Sequence, residues 1–326
     1  MAESAAQLEV IVWCDGLRSA LVERVLGRLA DRSVAAIGGP RRGPLADTAD
    51  ALGAKLHDDL RKMLVDHPGK HLLLATSEGV GPPELIQARE SAASIAALDP
   101  IEAAEAAGVE IPGNSSTVWM LPSLRATPAW LSAAEPLQVL GKLRSVQIAS
   151  LAPRSAGTLH ARLHESMEML LHLLGTPLTV DASLAGGPPE PPDELAALTG
   201  DLTAHLRFNN GASAVLHVSD GSTTWSRRLV ALGDEAQITL DDLSYSLLNR
   251  EGQLLDTLAH SSAGGAPVSV DPAELIARQW RRLLEGGAPP KPVDSRAVSS
   301  CCRAALLSCR TAQLESPSTL LRMGRV

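Results

Sequence analysis

The stretch from Leu202 to Val218 reads LTAHLRFNNGASAVLHV and decides the fold of the second half of the chain. Apolar side chains occupy every second position on both sides of Asn209-Asn210-Gly211, which is the pattern of two strands with one buried face. Asparagine and glycine tolerate the positive φ of a tight turn, so we expect the chain to fold straight back here. The alternation resumes from Trp225 to Leu232 and continues in shorter runs that end at Leu258. We therefore predict an open antiparallel sheet with one face that needs a cover.

A helix from Leu159 to Leu174 is predicted to supply this cover. Apolar residues recur there every three or four positions, which places them in one stripe, and Gly175 follows as a stop signal. Two later helices are predicted, one that begins at Asp271-Pro272 and one over Ser295–Gln313. The segment Gly186–Pro192 is rich in glycine and proline, so it is predicted to be a loop.

The first third of the chain shows a different pattern, in which short apolar runs alternate with helical stretches. The predicted strands are Val10–Trp13, Val34–Ile37, Lys55–His57, Leu72–Ala75, Ile95–Leu98 and Val118–Leu121. Strands that alternate with helices form βαβ units, and hence a parallel sheet with helices on both faces. We predict a doubly wound α/β domain over residues 1–122. An α+β domain with a large open, mainly antiparallel sheet is predicted over residues 123–326.

The composition argues against several classes of function. The chain has 29 Lys plus Arg and 37 Asp plus Glu, a net charge of −8 without long runs of either sign, so no nucleic-acid or anionic-membrane partner is expected. No apolar run approaches the roughly 20 residues of a membrane span, and Met1–Glu9 lacks the features of a secretory signal. We expect a soluble cytoplasmic protein. The cysteines are expected to be reduced and packed, because their spacing fits no zinc site.

Four phrases of the sequence resemble the Gfo/Idh/MocA family of NAD(P)-dependent oxidoreductases. They are Leu140–Val146, Phe208–Ala212, Leu229–Leu240 and Arg310–Gln313, and they follow one another in the order of that family. The resemblance implies a Rossmann domain, a bound nicotinamide cofactor, and a sugar or polyol substrate. It also implies homo-oligomers that form through the open face of the sheet.

The residues at the family's cofactor positions depart from its pattern. The turn after the first strand, Cys14–Ser19, keeps a single glycine, Gly16, and Asp15 would place a carboxylate beside the pyrophosphate. The acidic residue that would bind the ribose hydroxyls is replaced by Gly39, and Arg41 and Arg42 follow it. Two arginines can accommodate a 2′-phosphate, so NADP is preferred to NAD if a cofactor binds, and binding of no cofactor is equally open. The alternative for Gly38–Gly43 is a flexible turn with solvated arginines.

The candidate cofactor-binding residues share positions at the ends of the predicted strands. They are Gly16, Arg18, Gly39, Arg41, Thr76 and Ser77, the last two from the family's cofactor-facing loop.

The family's catalytic positions are also substituted. Its Glu-Lys-Pro phrase corresponds to Leu98-Asp99-Pro100, and a carboxylate cannot supply the positive charge that stabilises a developing alkoxide. The family's paired His and Asp correspond to Glu165 and Glu168. His164 lies one position earlier, where a helix turns a side chain by about 100°. His164, Glu165, Glu168 and Asp99 are therefore the candidate catalytic residues.

A metal site is a further alternative on the predicted helix. Its candidate ligands recur every four residues, and they are His160, His164, Glu168 and His172. Imidazoles at i and i+4 can share a zinc ion. However, four positions along one straight helix span too far to converge on one ion, so a polar stripe is favoured and no metal is assigned.

The uncovered face of the sheet is the expected oligomer interface. Its candidate residues are Thr203, His205, Arg207 and Val215. His217 is expected on the sheet surface, and Trp225 and Tyr245 are expected to be exposed on this face.

These observations favour a homologue of Gfo/Idh/MocA oxidoreductases whose catalytic and cofactor motifs are eroded, and which acts as a non-catalytic binding or assembly subunit. The alternative is an active NADP-dependent dehydrogenase or reductase that acts on a sugar or polyol derivative. A composition with 2% aromatic residues offers few rings for stacking on a sugar, although a small polyhydroxy ligand remains open.

Overall fold

The structure is a computed structural model, and it describes residues 8–29, 32–41, 43–101, 118–259, 270–288, 290–291 and 293–323. The chain forms two compact units. The first consists of Met1–Pro122 with Pro272–Pro289, and the second of Ser123–Asp271 with Pro290–Val326.

The described strands are, in chain order, β1 Leu8–Trp13, β2 Arg32–Gly38, β3 Lys55–His57, β4 His71–Leu74, β5 Ser94–Ala97, β6 Val118–Met120, β7 Leu143–Pro153, β8 Thr179–Ala185, β9 Asp201–Arg207, β10 Ser213–Ser219, β11 Gly221–Gly233, β12 Ala236–Asp241, β13 Tyr245–Asn249 and β14 Leu254–Leu258. The described α-helices are α1 Ser19–Gly27, α2 Ala46–Leu52, α3 Leu60–Asp66, α4 Pro82–Ser91, α5 Pro128–Ser132, α6 Leu159–Leu174, α7 Pro272–Leu284, α8 Ser295–Thr311 and α9 Pro317–Met323.

The first unit is built on a six-stranded sheet in the order β3-β2-β1-β4-β5-β6, with every pair of neighbours parallel. Successive residues of β1 point to opposite faces, so Val10 and Val12 join one core while Ile11 and Trp13 join the other. The strand order reverses between β1 and β4. In doubly wound sheets ligands bind at this point, beyond the carboxyl ends of the strands.

Helix α7 belongs to the first unit, although it was predicted to lie in the second domain, residues 123–326. Its apolar side chains, among them Ile276 and Trp280, share a core with Val22 and Val25 of α1. The assignment was wrong because the chain returns to the first unit after the second sheet is complete, and a helical pattern does not show which core it packs against.

The second unit contains an eight-stranded sheet in the order β14-β13-β12-β11-β7-β10-β9-β8. The β7–β10 pair is parallel and the other pairs are antiparallel. The hairpin forms as predicted, with Leu206 opposite Ala214 and Gly211 at φ +82°. The sequence did not predict the order of the strands, in which β7 lies between β10 and β11.

One face of this sheet is covered by α6 and α8, which share its apolar core. Trp225 and Tyr245 are 6% and 7% exposed, so the expectation that they lie on the uncovered face was wrong. Trp225 has the same strand parity as the buried Leu229 and Ala231, and therefore lies on the covered side. On the opposite face Thr203, His205, Arg207, Val215 and His217 are exposed. No helix among the described residues is long and apolar enough to cross a membrane.

Candidate functional site

The turn that joins β1 to α1 is held by its own polar groups. The Asp15 Oδ1 accepts a hydrogen bond of 3.0 Å from the backbone N–H of Arg18, and Ser19 Oγ donates to the Gly16 carbonyl at 3.0 Å. Arg18 is the N-cap residue of α1, and the N–H groups at such a position attract anions. The Asp15 carboxylate therefore already binds one of the N–H groups at the N-terminus of α1, where an anion would otherwise bind.

The Arg18 side chain connects the ends of three strands. Its Nη2 lies 2.7 Å from Asp99 Oδ2, and its Nη1 donates to the carbonyl of Ala75. Arg18 is 2% exposed and Asp99 is 3% exposed, so the ion pair is buried. Because the three residues follow β1, β4 and β5, the pair lies at the carboxyl-end crevice of the first sheet. The structure thus brings together two residues that the sequence assigned separately, one to cofactor binding and one to catalysis.

Two glycines near this turn have no room for a side chain. A Cβ at Gly39 would overlap the carbonyl oxygen of Cys14, and a Cβ at Gly16 would overlap the side chain of Pro44. An acidic residue therefore could not be placed at Gly39 without moving the backbone at Cys14, directly after β1.

The candidate cofactor residues Arg41, Thr76 and Ser77 contact residues other than Arg18 and Asp99. Arg41 is 80% exposed on its side chain and lies 3.9 Å from Glu78 Oε1. Thr76 is buried, and its Oγ1 accepts from the N–H of Glu78 at 3.2 Å. The Ser77 carbonyl accepts from the N–H of Val80 at 3.1 Å. Arg42 lies outside the described residues.

The candidate catalytic residues of the second unit lie on α6, and both carboxylates are bound by protein groups. Glu165 Oε1 accepts from the N–H of Leu124 at 2.8 Å and pairs with Arg227. Glu168 Oε1 pairs with Arg125 Nη1 at 2.9 Å. His164 is buried, and its ring packs edge-on against His160 at a centroid distance of 6.3 Å.

A buried charged cluster surrounds Glu165 and was not predicted from the sequence. Arg227 donates from Nε to Asp242 Oδ1 at 2.8 Å, and Trp225 Nε1 donates to Asp242 Oδ2 at 2.9 Å. The guanidinium of Arg162 lies 4.3 Å from the ring centroid of Trp225, within the range of a cation–π contact. The burial of Arg227 could have been predicted from the sequence, because Arg227 has the same strand parity as the buried Leu229. Its partners are distant in sequence and could not be inferred from that parity.

The histidine stripe on α6 has no metal geometry. Among the described residues, no group of three or more His, Cys, Asp or Glu side chains is arranged to hold an ion. Burial, reinforced by His164 and Arg303, lowers the pKa of His160 to about 3. His160 is therefore a neutral, packed ring at neutral pH.

Comparison with known proteins identifies the fold. No protein-family profile and no curated protein matches the sequence. Levoglucosan dehydrogenase with NADH and L-sorbose is 16% identical, with 95% of this chain and 98% of that chain covered at a TM-score of 0.68. An oxidoreductase from Agrobacterium radiobacter with NAD+, L-tartaric acid and magnesium is 14% identical, with 97% and 100% covered at 0.70. The WlbA dehydrogenase from Chromobacterium violaceum with NADH and UDP-GlcNAcA is 15% identical, with 96% and 97% covered at 0.63.

The fold is therefore one that NAD-dependent oxidoreductases share. More narrowly, it is the fold of the Gfo/Idh/MocA-type oxidoreductases, and the resemblance seen in the sequence is confirmed at this level.

Proposed function

We propose that this chain is a Gfo/Idh/MocA-type homologue that no longer transfers hydride and acts as a binding or assembly subunit. The observation that carries the proposal is the buried Arg18–Asp99 ion pair at the carboxyl ends of β1, β4 and β5. In this fold the crevice at these strand ends is where a dinucleotide lies.

The residues around the first turn do not fit a bound pyrophosphate. A pyrophosphate needs free N–H groups and bare backbone at the start of α1. Here the N–H of Arg18 is bound by Asp15, and this carboxylate would repel a phosphate placed beside it. The side chain of Pro44 packs against Gly16, where the backbone would otherwise be open.

The residue at the family's lysine position does not fit hydride transfer. Asp99 carries a negative charge that Arg18 already compensates, so neither group is available to stabilise an alkoxide. Glu165 and Glu168 are held in ion pairs with Arg227 and Arg125, and this favours a structural role for both.

An assay of hydride transfer tests the loss of activity. The full-length chain is incubated with NAD+ or NADP+ and a panel of sugars and polyols, and cofactor reduction is followed by absorbance, with levoglucosan dehydrogenase and its substrate as the positive control. We expect no turnover above the rate without enzyme. Turnover with any member of the panel would contradict the proposal.

A second candidate function is an active NADP-dependent dehydrogenase or reductase. The exposed Arg41 guanidinium at the end of β2 favours it, because a basic residue there can bind a 2′-phosphate. In this case His164 would transfer the proton, and His164→Ala would abolish turnover. Activity that survives in His164→Ala would remove that role.

We also propose that copies of the chain assemble in the cytoplasm through the open face of the second sheet. The exposed side chains of His205 and Val215 on neighbouring strands support this interface, and the four free cysteines fit a reducing compartment. Sedimentation velocity at micromolar concentration tests the assembly. We expect a species larger than the 34.1 kDa chain, and a single monomeric species would contradict it.

A further inference from the structure

Two histidines of the first unit place their rings side by side. His57 is the last residue of β3, and His67 directly follows the last residue of α3. Their ring centroids lie 5.4 Å apart, with an angle of 85° between the ring planes. His57 is 3% exposed and His67 is partly buried, so the pair is nearly enclosed but has one ring that solvent reaches.

Each of these rings has a nitrogen atom without a partner. The Nε2 atoms of His57 and His67 are both buried, and neither forms a hydrogen bond with another described residue. Burial, reinforced by Lys55, lowers the pKa of both rings from the ordinary 6.5. Both imidazoles are therefore neutral at neutral pH, and each keeps one nitrogen lone pair that can bind a metal ion.

The distance between the two rings agrees with two imidazoles on one metal ion. A zinc–nitrogen bond is about 2.0–2.1 Å long and the ring centroid lies about 1.2 Å beyond the nitrogen, so two imidazoles at a tetrahedral angle have centroids about 5.2 Å apart. The observed distance of 5.4 Å is close to this value. The two Nε2 atoms form no hydrogen bond with each other, so such a bond does not account for the pair.

Both histidines lie on backbone that hydrogen bonds hold in place. The strand β3 pairs with β2, and the His57 carbonyl also accepts from the N–H of Gly39 at 3.2 Å. The N–H of His67 donates to the Met63 carbonyl at 3.1 Å, which completes the last turn of α3. Ligands on such elements are positioned before the ion arrives.

The remaining coordination positions are open. Among the described residues, no third His, Cys, Asp or Glu side chain is arranged with these rings to hold an ion. The nearby Asp66 acts on the pKa of both rings, and its Oδ2 pairs with Lys55 Nζ at 2.8 Å. The Lys55 side chain is 58% exposed, so its ammonium group can move into solvent and release the carboxylate.

We propose that His57 and His67 together bind one divalent transition-metal ion of the kind that prefers imidazole nitrogen, such as Zn²⁺. Water or the Asp66 carboxylate completes the coordination, and the ion connects β3 to α3. The site shares no residue with the Arg18–Asp99 pair, so it is independent of the proposed loss of hydride transfer.

Isothermal titration calorimetry of the full-length chain, after treatment with a chelator, tests this site with Zn²⁺ and Mg²⁺ as separate probes. We expect saturable binding of one Zn²⁺ per chain and no saturable heat with Mg²⁺, which prefers oxygen ligands. His57→Gln and His67→Gln should each weaken Zn²⁺ binding at least about tenfold, because each removes one ligand. Circular dichroism reports whether the variants fold, and the partly exposed His67 keeps the test valid if His57→Gln does not.

His217→Gln is the matched control. His217 is exposed on β10 and lies diagonally across the β9–β10 ladder from His205, where a surface pair of histidines would bind Zn²⁺ without a built site. We expect its affinity for Zn²⁺ to equal that of the wild type. Absence of saturable Zn²⁺ binding would overturn the proposal. Zn²⁺ binding that only His217→Gln weakens, or that His57→Gln and His67→Gln leave unchanged, would also overturn it, because it would indicate an adventitious ion only.

Discussion

Arg18 and Asp99 form a buried ion pair, with 2.7 Å between Nη2 and Oδ2, that connects the turn after β1 to the end of β5. Asp99 stands where the resemblance to the Gfo/Idh/MocA family places the family's lysine, and Arg18 lies in the turn that keeps a single glycine, Gly16. The two charges compensate each other, because each offsets part of the desolvation cost of burying the other. The resemblance implies a cationic lysine at the position of Asp99, whereas this chain has a carboxylate paired with Arg18 there.

Breaking the Arg18–Asp99 pair should destabilise the protein strongly. Arg18→Ala leaves the Asp99 carboxylate buried without its guanidinium, and we expect a loss of about 3 kcal/mol in the free energy of unfolding. Urea denaturation followed by circular dichroism measures it. Arg41→Ala is the control, because Arg41 is exposed and its pair with Glu78 spans 3.9 Å, so a change of about 0.5 kcal/mol or less is expected. Equal losses of unfolding free energy in the two variants would show that the buried ion pair contributes no more to stability than the exposed one.

Gly39 should not tolerate even a methyl group. A Cβ at this position meets the Cys14 carbonyl, which belongs to the backbone and cannot rotate away, so Gly39→Ala should cost about 2 kcal/mol or more. Gly43→Ala is the matched control, because nothing lies within 4 Å of its Cβ and its φ is not positive. Thermal unfolding compares the two variants. A Gly39→Ala variant as stable as the wild type would show that the backbone at Cys14 moves at little cost, so that an acidic side chain could be accommodated at position 39.

His160 should make the stability of the chain sensitive to acid. Its folded pKa is lowered to about 3 by burial, by His164 and by Arg303, whereas the ordinary value is 6.5. Between these values the unfolded chain binds a proton that the folded chain does not. The contribution of His160 to stability is therefore complete above pH 6.5 and is lost as the pH falls toward 3.

The substitution His160→Leu removes this linkage. We expect its unfolding free energy, relative to wild type, to be more favourable at about pH 5 than at about pH 8, because all other groups are common to both proteins. Urea denaturation at the two pH values gives the difference. A difference that does not change with pH would mean that His160 is not buried in its neutral form.

Glu165 should matter more for folding than an exposed glutamate. Glu165→Gln removes the charge that pairs with the buried Arg227 and weakens the acceptor for the Leu124 N–H, so a loss of about 3 kcal/mol is expected. Glu235→Gln is the control, because its pair with Arg250 is exposed and should contribute less than about 1 kcal/mol. Chemical denaturation of both variants checks this. A small effect in Glu165→Gln would indicate that Asp242 alone compensates Arg227.

The sequence predicted the local elements well and the long-range partners poorly. The bounds of α6 and β3 agree with the structure because periodicity, turn residues and stop signals are local. The insertion of β7 between β10 and β11 could not be predicted, since alternation shows which face a strand buries but not its neighbours. The same limit explains why Asp242 was missed as the partner of Arg227. Arg18 and Asp99 were each identified from the family's positions, but their pairing depends on how the strand ends meet.

A titration with nicotinamide cofactors tests the central claim most directly. The wild-type chain is titrated separately with NADH and NADPH by calorimetry, with levoglucosan dehydrogenase and NADH as the positive control. Because the Arg18–Asp99 pair and the Asp15 carboxylate occupy the crevice, we predict no saturable binding up to roughly 1 mM of either cofactor. Saturable binding of NADH or NADPH below that concentration would contradict the account.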